Sequence, residues 1–239
     1  KELERNGIVL KHFELGDPDF NTPKKVTQKA IESLINGNTH YQSSRGDLDF
    51  LNSVQKATKI SRNFTPSISQ ITVTTGANAA IFYALKTICN QDDQVILPNP
   101  YFPTYIAASH MAGVDYKFYN LDIKNKFKPS VEEISSLITP RTKAILINSP
   151  SNPLGSIIEK EDLKKIYEIA LKKDIYIISD EVYARMVYVS DFDFFSVSEI
   201  DQCLERTILI NGFSKAFAMT GWRVGIVIAP PIVSEKITL

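Results

Sequence analysis

The 239-residue sequence predicts an α/β fold, a three-layer arrangement in which a mainly parallel, seven-stranded sheet is flanked by helices. Two observations carry this. Seven short apolar, β-prone runs recur from about residue 70 onward, and most are continuous Val/Ile/Leu rather than alternating, which is how strands buried on both faces read. Between several of them lie segments whose apolar residues fall at helical spacing.

Taken in order, KELERNG (1–7) reads as the tail of a helix. LGDPDFNTP (15–23) is a loop punctuated by Gly16, Pro18 and Pro23. A helix KKVTQKAIESLIN (24–36), a turn-rich GNTHYQSSRGD (37–47) and a second helix to about Arg62 follow. Residues 1–65 are therefore expected to form an arm and lead-in helices belonging to a smaller domain, and 66–239 the large domain. The strand runs are QITVTTG (70–76), DQVILPN (93–99), VDYKFYN (114–120), KAILINSP (143–150), DIYIISDE (174–181), RTILINGF (206–213) and RVGIVIAP (223–230). The helices between them are ANAAIFYALKTICN (77–90), PTYIAASHMAG (103–113) and EKEDLKKIYEIALKKD (159–174). In the last, Leu163, Ile166, Tyr167, Ile169 and Ala170 make the buried stripe, and lysines and glutamates the wet face. PPIVSEKITL (230–239) begins a new amphipathic segment, so the chain is expected to be a piece of a longer protein, without its C-terminal small domain.

Composition narrows the partners. The chain has 27 basic and 27 acidic side chains, mixed along its length, so no net field draws it to nucleic acid or an anionic membrane. No apolar run approaches the roughly 20 residues of a membrane span. Cys89 and Cys203 form no Cys-x-x-Cys or zinc spacing, and His12, His40 and His110 are scattered, so no metal site is expected. Two isolated cysteines and the lack of a targeting segment favour the cytoplasm.

In open α/β sheets ligands sit beyond the carboxyl ends of the strands. At those ends the sequence places TTGANAA (74–80), where a glycine and small residues open a helix and free its N–H groups for an anion. It places aromatics between prolines in NPYFPTY (99–105), an asparagine loop in NSPSNPLG (148–155), and paired acids in SDEVY (179–183). Last comes SKAFAMTGWRVG (214–225), with a lysine that could react as a neutral amine and an arginine whose fork suits phosphate. Each alone has a plain structural explanation: turn chemistry, core packing, a cap. Together they form the set a pyridoxal phosphate site requires, with a ring plate, a phosphate cradle, a carboxylate for the pyridinium nitrogen and a Schiff-base lysine.

NGFSKAFAMTGWRVG (211–225) closely resembles the cofactor-attachment signature of class I pyridoxal-phosphate-dependent aminotransferases, in the aspartate/aromatic group. The other motifs resemble that family in the same order over essentially the whole chain. The resemblance implies that Lys215 forms the Schiff base and shuttles the proton, and that Asp180 pairs with the ring nitrogen. Tyr183 and Asn152 would hydrogen-bond the ring 3′-oxygen, and Phe102 would stack on the ring. Gly76, Ala77 and Asn78 would cradle the phosphate, with Arg223 pairing with it. Tyr41 would reach the phosphate of a neighbouring subunit, making the active unit a homodimer. Gly16 lies in the loop implied to close over the substrate carboxylate, and Phe102 and Asn152 are implied to contact the substrate with it.

Two positions depart from the pattern. Gly212 stands where some relatives carry a phosphate-binding serine, so one phosphate hydrogen bond is either missing or supplied by Ser214, and YVSDFDFF (188–195) is less typical. The family's substrate-carboxylate arginine lies past residue 239, so this piece alone is expected to be a weak or inactive transaminase. The implied reaction is ping-pong transfer of an amino group between an L-amino acid and a 2-oxo acid such as 2-oxoglutarate. A β-lyase or cyclopropane-forming synthase on the same fold stays open, as does the aminotransferase-like effector domain of a transcription regulator.

Overall fold

A computed structural model describes residues 2–12, 15–188 and 194–239. Residues 189–193, most of the atypical YVSDFDFF stretch, lie outside the described residues. The elements in order are α1 (Glu2–Arg5), α2 (Lys24–Ile35), α3 (Leu48–Arg62), β1 (Ile71–Thr74), α4 (Ala77–Ile88), β2 (Gln94–Asn99), α5 (Thr104–Ala112) and β3 (Asp115–Asn120). They continue with α6 (Val131–Leu137), β4 (Thr142–Asn148), α7 (Lys160–Lys173), β5 (Tyr176–Asp180), β6 (Thr207–Gly212), β7 (Gly225–Ile228) and α8 (Pro231–Ile237). The helix α6 escaped the sequence reading; seven residues give too short a stripe to stand out, and its start is marked by Ser130 accepting from the Glu133 N–H.

One seven-stranded sheet runs in the order β1-β7-β6-β5-β4-β2-β3. The pairs β2–β3, β2–β4, β4–β5 and β5–β6 are parallel, while β7 is antiparallel to both β6 and β1. The sheet is thus mainly parallel. Most of its strands are buried on both faces because successive side chains point into different layers, while the edge strand β3 buries only Tyr119. In β4, Leu146 packs with Ile81, Leu85 and Tyr105 on the α4/α5/α8 side. Its neighbours Ile145 and Ile147 pack with Ile134, Leu163 and Ile166 on the α6/α7 side. Leu51 and Val54 of α3 cover Ile71, Leu209 and Ile228 at the β1 end.

Helix ends follow their residues. Asp47 caps α3 by accepting from Phe50 N–H at 3.0 Å. In α7 the acids Glu161 and Asp162 sit in the first turn and Lys172 and Lys173 in the last, each favourable against the helix dipole. By contrast α2 buries no residue, and Leu34 and Ile35 lie exposed on it. Among the described residues no helix is long and apolar enough to cross a membrane, and no cluster of His, Cys, Asp or Glu is placed to hold a metal.

Candidate active site

Topology brings the singled-out residues to one edge. The ends of β4 and β5 lie side by side, with Asn148 paired in register to Asp180. Because β1 and β6 both run against β7, they point the same way, so their exits at Gly76 and Lys215 share an edge. The residues that lead into β7, Arg223 among them, lie at that edge too.

A cavity of 330 Å³ opens there, lined by Gly16, Ala77, Asn78, Phe102, Asn152, Asp180, Tyr183, Ser214, Lys215 and Arg223. Gly76 packs directly against Arg223. Tyr41 does not line the cavity and is fully exposed.

One end of the cavity is built for an anion. Gly76 takes φ of 93°, a conformation glycine supplies without strain, and turns the chain into α4. No side chain caps α4, so the N–H groups of its first turn are left for a ligand. A Cβ on Gly76 would overlap the Arg223 guanidinium. A Cβ on Gly225 would lie 2.6 Å from the Gly76 carbonyl carbon and 2.8 Å from Ala77 N, so Gly225 is what lets β7 run beneath the turn. Arg223 donates from Nη1 to the Thr220 carbonyl at 2.9 Å. It is not the first residue of a strand, as the sequence suggested: β7 begins at Gly225, and Arg223 ends a short turn with left-handed φ of 53°.

The other end holds a buried carboxyl. Asp180 is 5% exposed; burial pushes its pKa up to about 6 against the pull of its hydrogen bonds, and the neighbouring Glu181 charge raises it further. Those bonds come from the Tyr105 hydroxyl at 2.8 Å and the Val182 N–H at 3.2 Å. Burial, and then the Asp180 charge, lift the Tyr105 pKa well above the ordinary tyrosine value, so Tyr105 stays a donor. The two acids of SDEVY part company. Glu181 turns inward, where Arg62 Nε donates to it at 2.9 Å, with Ser196 and Ser179 hydroxyls at 2.7 and 3.1 Å. Burial still raises its pKa, outweighing Arg62 and the two serines.

Between the two ends, Asn152 Nδ2 donates to the Tyr183 hydroxyl at 3.3 Å, and Asn152 N–H donates to Asn148 Oδ1 at 2.7 Å. Asn148 Nδ2 then donates to the Asp180 carbonyl at 3.1 Å. Burial raises the Tyr183 pKa, the Asn152 donor opposes that, and the Asp180 charge adds to it. Phe102 meets Tyr105 edge to face, with ring centroids 5.8 Å apart. Lys215 Nζ donates to the Gly16 carbonyl at 2.5 Å.

Sequence reasoning missed Tyr105 and Asn148. Tyr105 sits one residue inside α5, three past Phe102, and its signal was a hydroxyl on the buried face of an apolar helix. Asn148 was visible as a polar last residue of an otherwise apolar strand.

The family model described as aminotransferase class I and II matches residues 11–238. A (5-formylfuran-3-yl)methyl phosphate transaminase of Methanocaldococcus jannaschii is 40% identical over 99% of this chain and 60% of its own length. An aspartate aminotransferase of Bacillus subtilis is 38% identical over 94% and 57%. The chain spans about 60% of the length of such curated relatives. Among solved structures, an aspartate aminotransferase of Thermotoga maritima superposes with a TM-score of 0.96 at 34% identity, over 99% of this chain and 63% of that one. The aspartate aminotransferase of Thermus thermophilus with maleate gives 0.95 at 32%, over 99% and 61%. The chain belongs to the class I and II aminotransferase family.

Proposed function

We propose that the chain binds pyridoxal phosphate and serves transamination between an L-amino acid and a 2-oxo acid such as 2-oxoglutarate, in ping-pong fashion. The observation that carries this is one cavity onto which an amine, a buried carboxyl and an uncapped helix N-terminus with an arginine all open. The residues fit that cofactor on chemistry: cationic and N–H donors at one end, an acid at the other, an aromatic wall between. When bound, the cofactor supplies an aldehyde and a ring that accepts electrons.

The chain's own residues do the rest. Ala77 and Asn78 N–H groups, the Gly76 turn and Arg223 hold the phosphate, with Ser214 beside them. Asp180 keeps a proton on the ring nitrogen, and Asn152 and Tyr183 bind the ring oxygen. Phe102 covers a ring face. Lys215 holds the aldehyde carbon and moves the proton at the substrate α-carbon. Gly16 closes near the substrate carboxylate. A second copy of the chain completes the unit as a homodimer, with the exposed Tyr41 directed to the neighbour's phosphate. Residues 1–65 act as arm and lead-in, and 66–239 as the cofactor domain. The free Cys89 and Cys203 suit a reducing cytoplasm. Relatives whose names are transaminase or aminotransferase favour amino transfer over lyase chemistry.

The test is a pyridoxal phosphate titration of the purified chain, followed by borohydride reduction and peptide mass analysis. A visible band and a reduced adduct on Lys215, absent in Lys215→Ala, are expected. An adduct spread over surface lysines, unchanged in Lys215→Ala, refutes the assignment.

A further inference from the structure

We propose that Thr22 is a positioning residue that fastens the segment 15–23 to the lysine loop and thereby sets where Lys215 Nζ points. The assignment rests on the cofactor reading above and adds a residue to it.

Segment 15–23 reaches the cavity through Leu15, Gly16 and Asp17. It is not held there by apolar packing, since Leu15 is 80% and Phe20 79% exposed. Its ties to the lysine loop are polar. Thr22 Oγ1 donates to the Ala218 carbonyl at 2.6 Å and accepts from Trp222 Nε1 at 3.0 Å. Six residues earlier, the Gly16 carbonyl accepts from Lys215 Nζ at 2.5 Å.

The hydroxyl therefore bridges two points of the loop that carries the lysine. Ala218 is a left-handed residue, φ 49°, at the bend of that loop. Fixing its carbonyl fixes the bend, and the bend determines how far Lys215, three residues before it, extends. The same hydroxyl anchors the strand of chain that presents Gly16 to the amine. A threonine is suited to this because one hydroxyl both donates and accepts. Valine has the same shape and does neither.

Two neutral hydrogen bonds of ordinary net strength correspond to about tenfold or somewhat more in the population of the fastened state. The experiment compares wild type, Thr22→Val, Thr22→Ser and Trp222→Phe. In cofactor-free protein, Lys215 is labelled by reductive methylation and its rate is read by mass spectrometry against the exposed Lys59. The same proteins are then titrated with pyridoxal phosphate and reduced, and the half-saturating concentration for the Lys215 adduct is recorded. Trp222 is the sole tryptophan, so its quenching by acrylamide reports the knot directly.

Thr22→Val is expected to label Lys215 about tenfold faster, raise the quenching of the already exposed Trp222, and need about tenfold more cofactor. Thr22→Ser is expected to behave as wild type, and Trp222→Phe, which removes the Nε1 donor and keeps a smaller aromatic ring, to fall between. Wild-type labelling and wild-type saturation in Thr22→Val overturn the proposal while leaving the cofactor reading intact. Faster labelling with unchanged saturation also overturns it, because the amine's position would then not matter to the cofactor. If wild type forms no Lys215 adduct, the cofactor reading falls. The labelling and quenching rates then still decide, on their own, whether Thr22 sets the position of the amine.

Discussion

Replacing Asp180 with Asn should make the cofactor-free protein more stable above pH 6 and less stable near pH 4. The carboxyl is 5% exposed and its pKa is pushed up from the ordinary 3.8 to about 6, chiefly by burial. A raised pKa means the native state holds its proton where the unfolded chain has lost it. Below about pH 4 both states are protonated and stability is intact. Between about 4 and 6 the unfolded chain ionises first, so stability falls as pH rises, and above that it levels off. At about 1.4 kcal/mol per pH unit the gap amounts to about 3 kcal/mol. Asparagine removes that term. It can still accept from the Tyr105 hydroxyl, but its amide faces the Val182 N–H, with loss of one hydrogen bond, about 1 kcal/mol. The net is about 2 kcal/mol in favour of Asp180→Asn at pH 8, or about 4–8 °C in Tm for a chain of this size, and about 1 kcal/mol against it at pH 4. Urea unfolding of both proteins from pH 4 to 8 tests this, since the other titrating groups are common to both and the Glu181 coupling is already part of the Asp180 shift. Curves that stay parallel, or a variant weaker at every pH, refute the reasoning. The same substitution should abolish tight cofactor binding, because an amide cannot balance a protonated ring nitrogen.

Other perturbations follow from the same geometry. Gly225→Ala puts a Cβ against backbone that cannot move aside, 2.6 Å from Gly76 and 2.8 Å from Ala77, and should destabilise by about 3 kcal/mol in urea melts while weakening phosphate binding. Arg62→Met takes the paired cation from Glu181, a carboxyl at 1% exposure that keeps only its serine donors, and should lose about 3–5 kcal/mol in urea melts, with Arg62→Met/Glu181→Gln recovering most of it. Tyr105→Phe removes a donor that holds the Asp180 pKa down, so the stability loss in urea melts should still begin near pH 4 but continue to a higher pH than in wild type.

The fold was legible because its signals are local. Continuous Val/Ile/Leu runs located most of the strands, β3 was marked instead by the aromatics of DYKFYN, and α7 declared itself through its stripe and its end charges. The candidate site was legible because its residues fall at strand ends, where Lys215, Asp180 and Gly76 stand out against apolar neighbours. What was not legible depends on distance in sequence. Tyr105 reaches Asp180 across 75 residues, and Arg62 reaches Glu181 across 119; neither partner announces the other. Gly225 reads as one more small residue in a strand, and only the approach of the Gly76 turn reveals why a side chain cannot stand there. Likewise Glu181 looked like the twin of Asp180, yet alternation along the chain sends one carboxylate into the cavity and the other into the protein.

The lysine loop shows why two cations eight residues apart, with no acid between them, end at one cavity. A strand continuing from Gly212 would carry Arg223 some 25 Å beyond the lysine, at roughly 3.3 Å per residue. Instead the chain doubles back, through left-handed backbone at Ala218 (φ 49°) and Arg223 (φ 53°). Each such non-glycine residue costs about 1–2 kcal/mol. Several contacts offset this: Met219 N–H to the Ser214 carbonyl at 3.1 Å, Trp222 N–H to Met219 at 3.3 Å, Arg223 Nη1 to Thr220 at 2.9 Å, and the Thr22 hydroxyl to Ala218. An acidic residue inside the loop would draw either cation out of the cavity into a local ion pair. Its absence leaves the Lys215 amine to a neutral carbonyl, a partner it can exchange for a ligand, and leaves most of the Arg223 fork free for an anion.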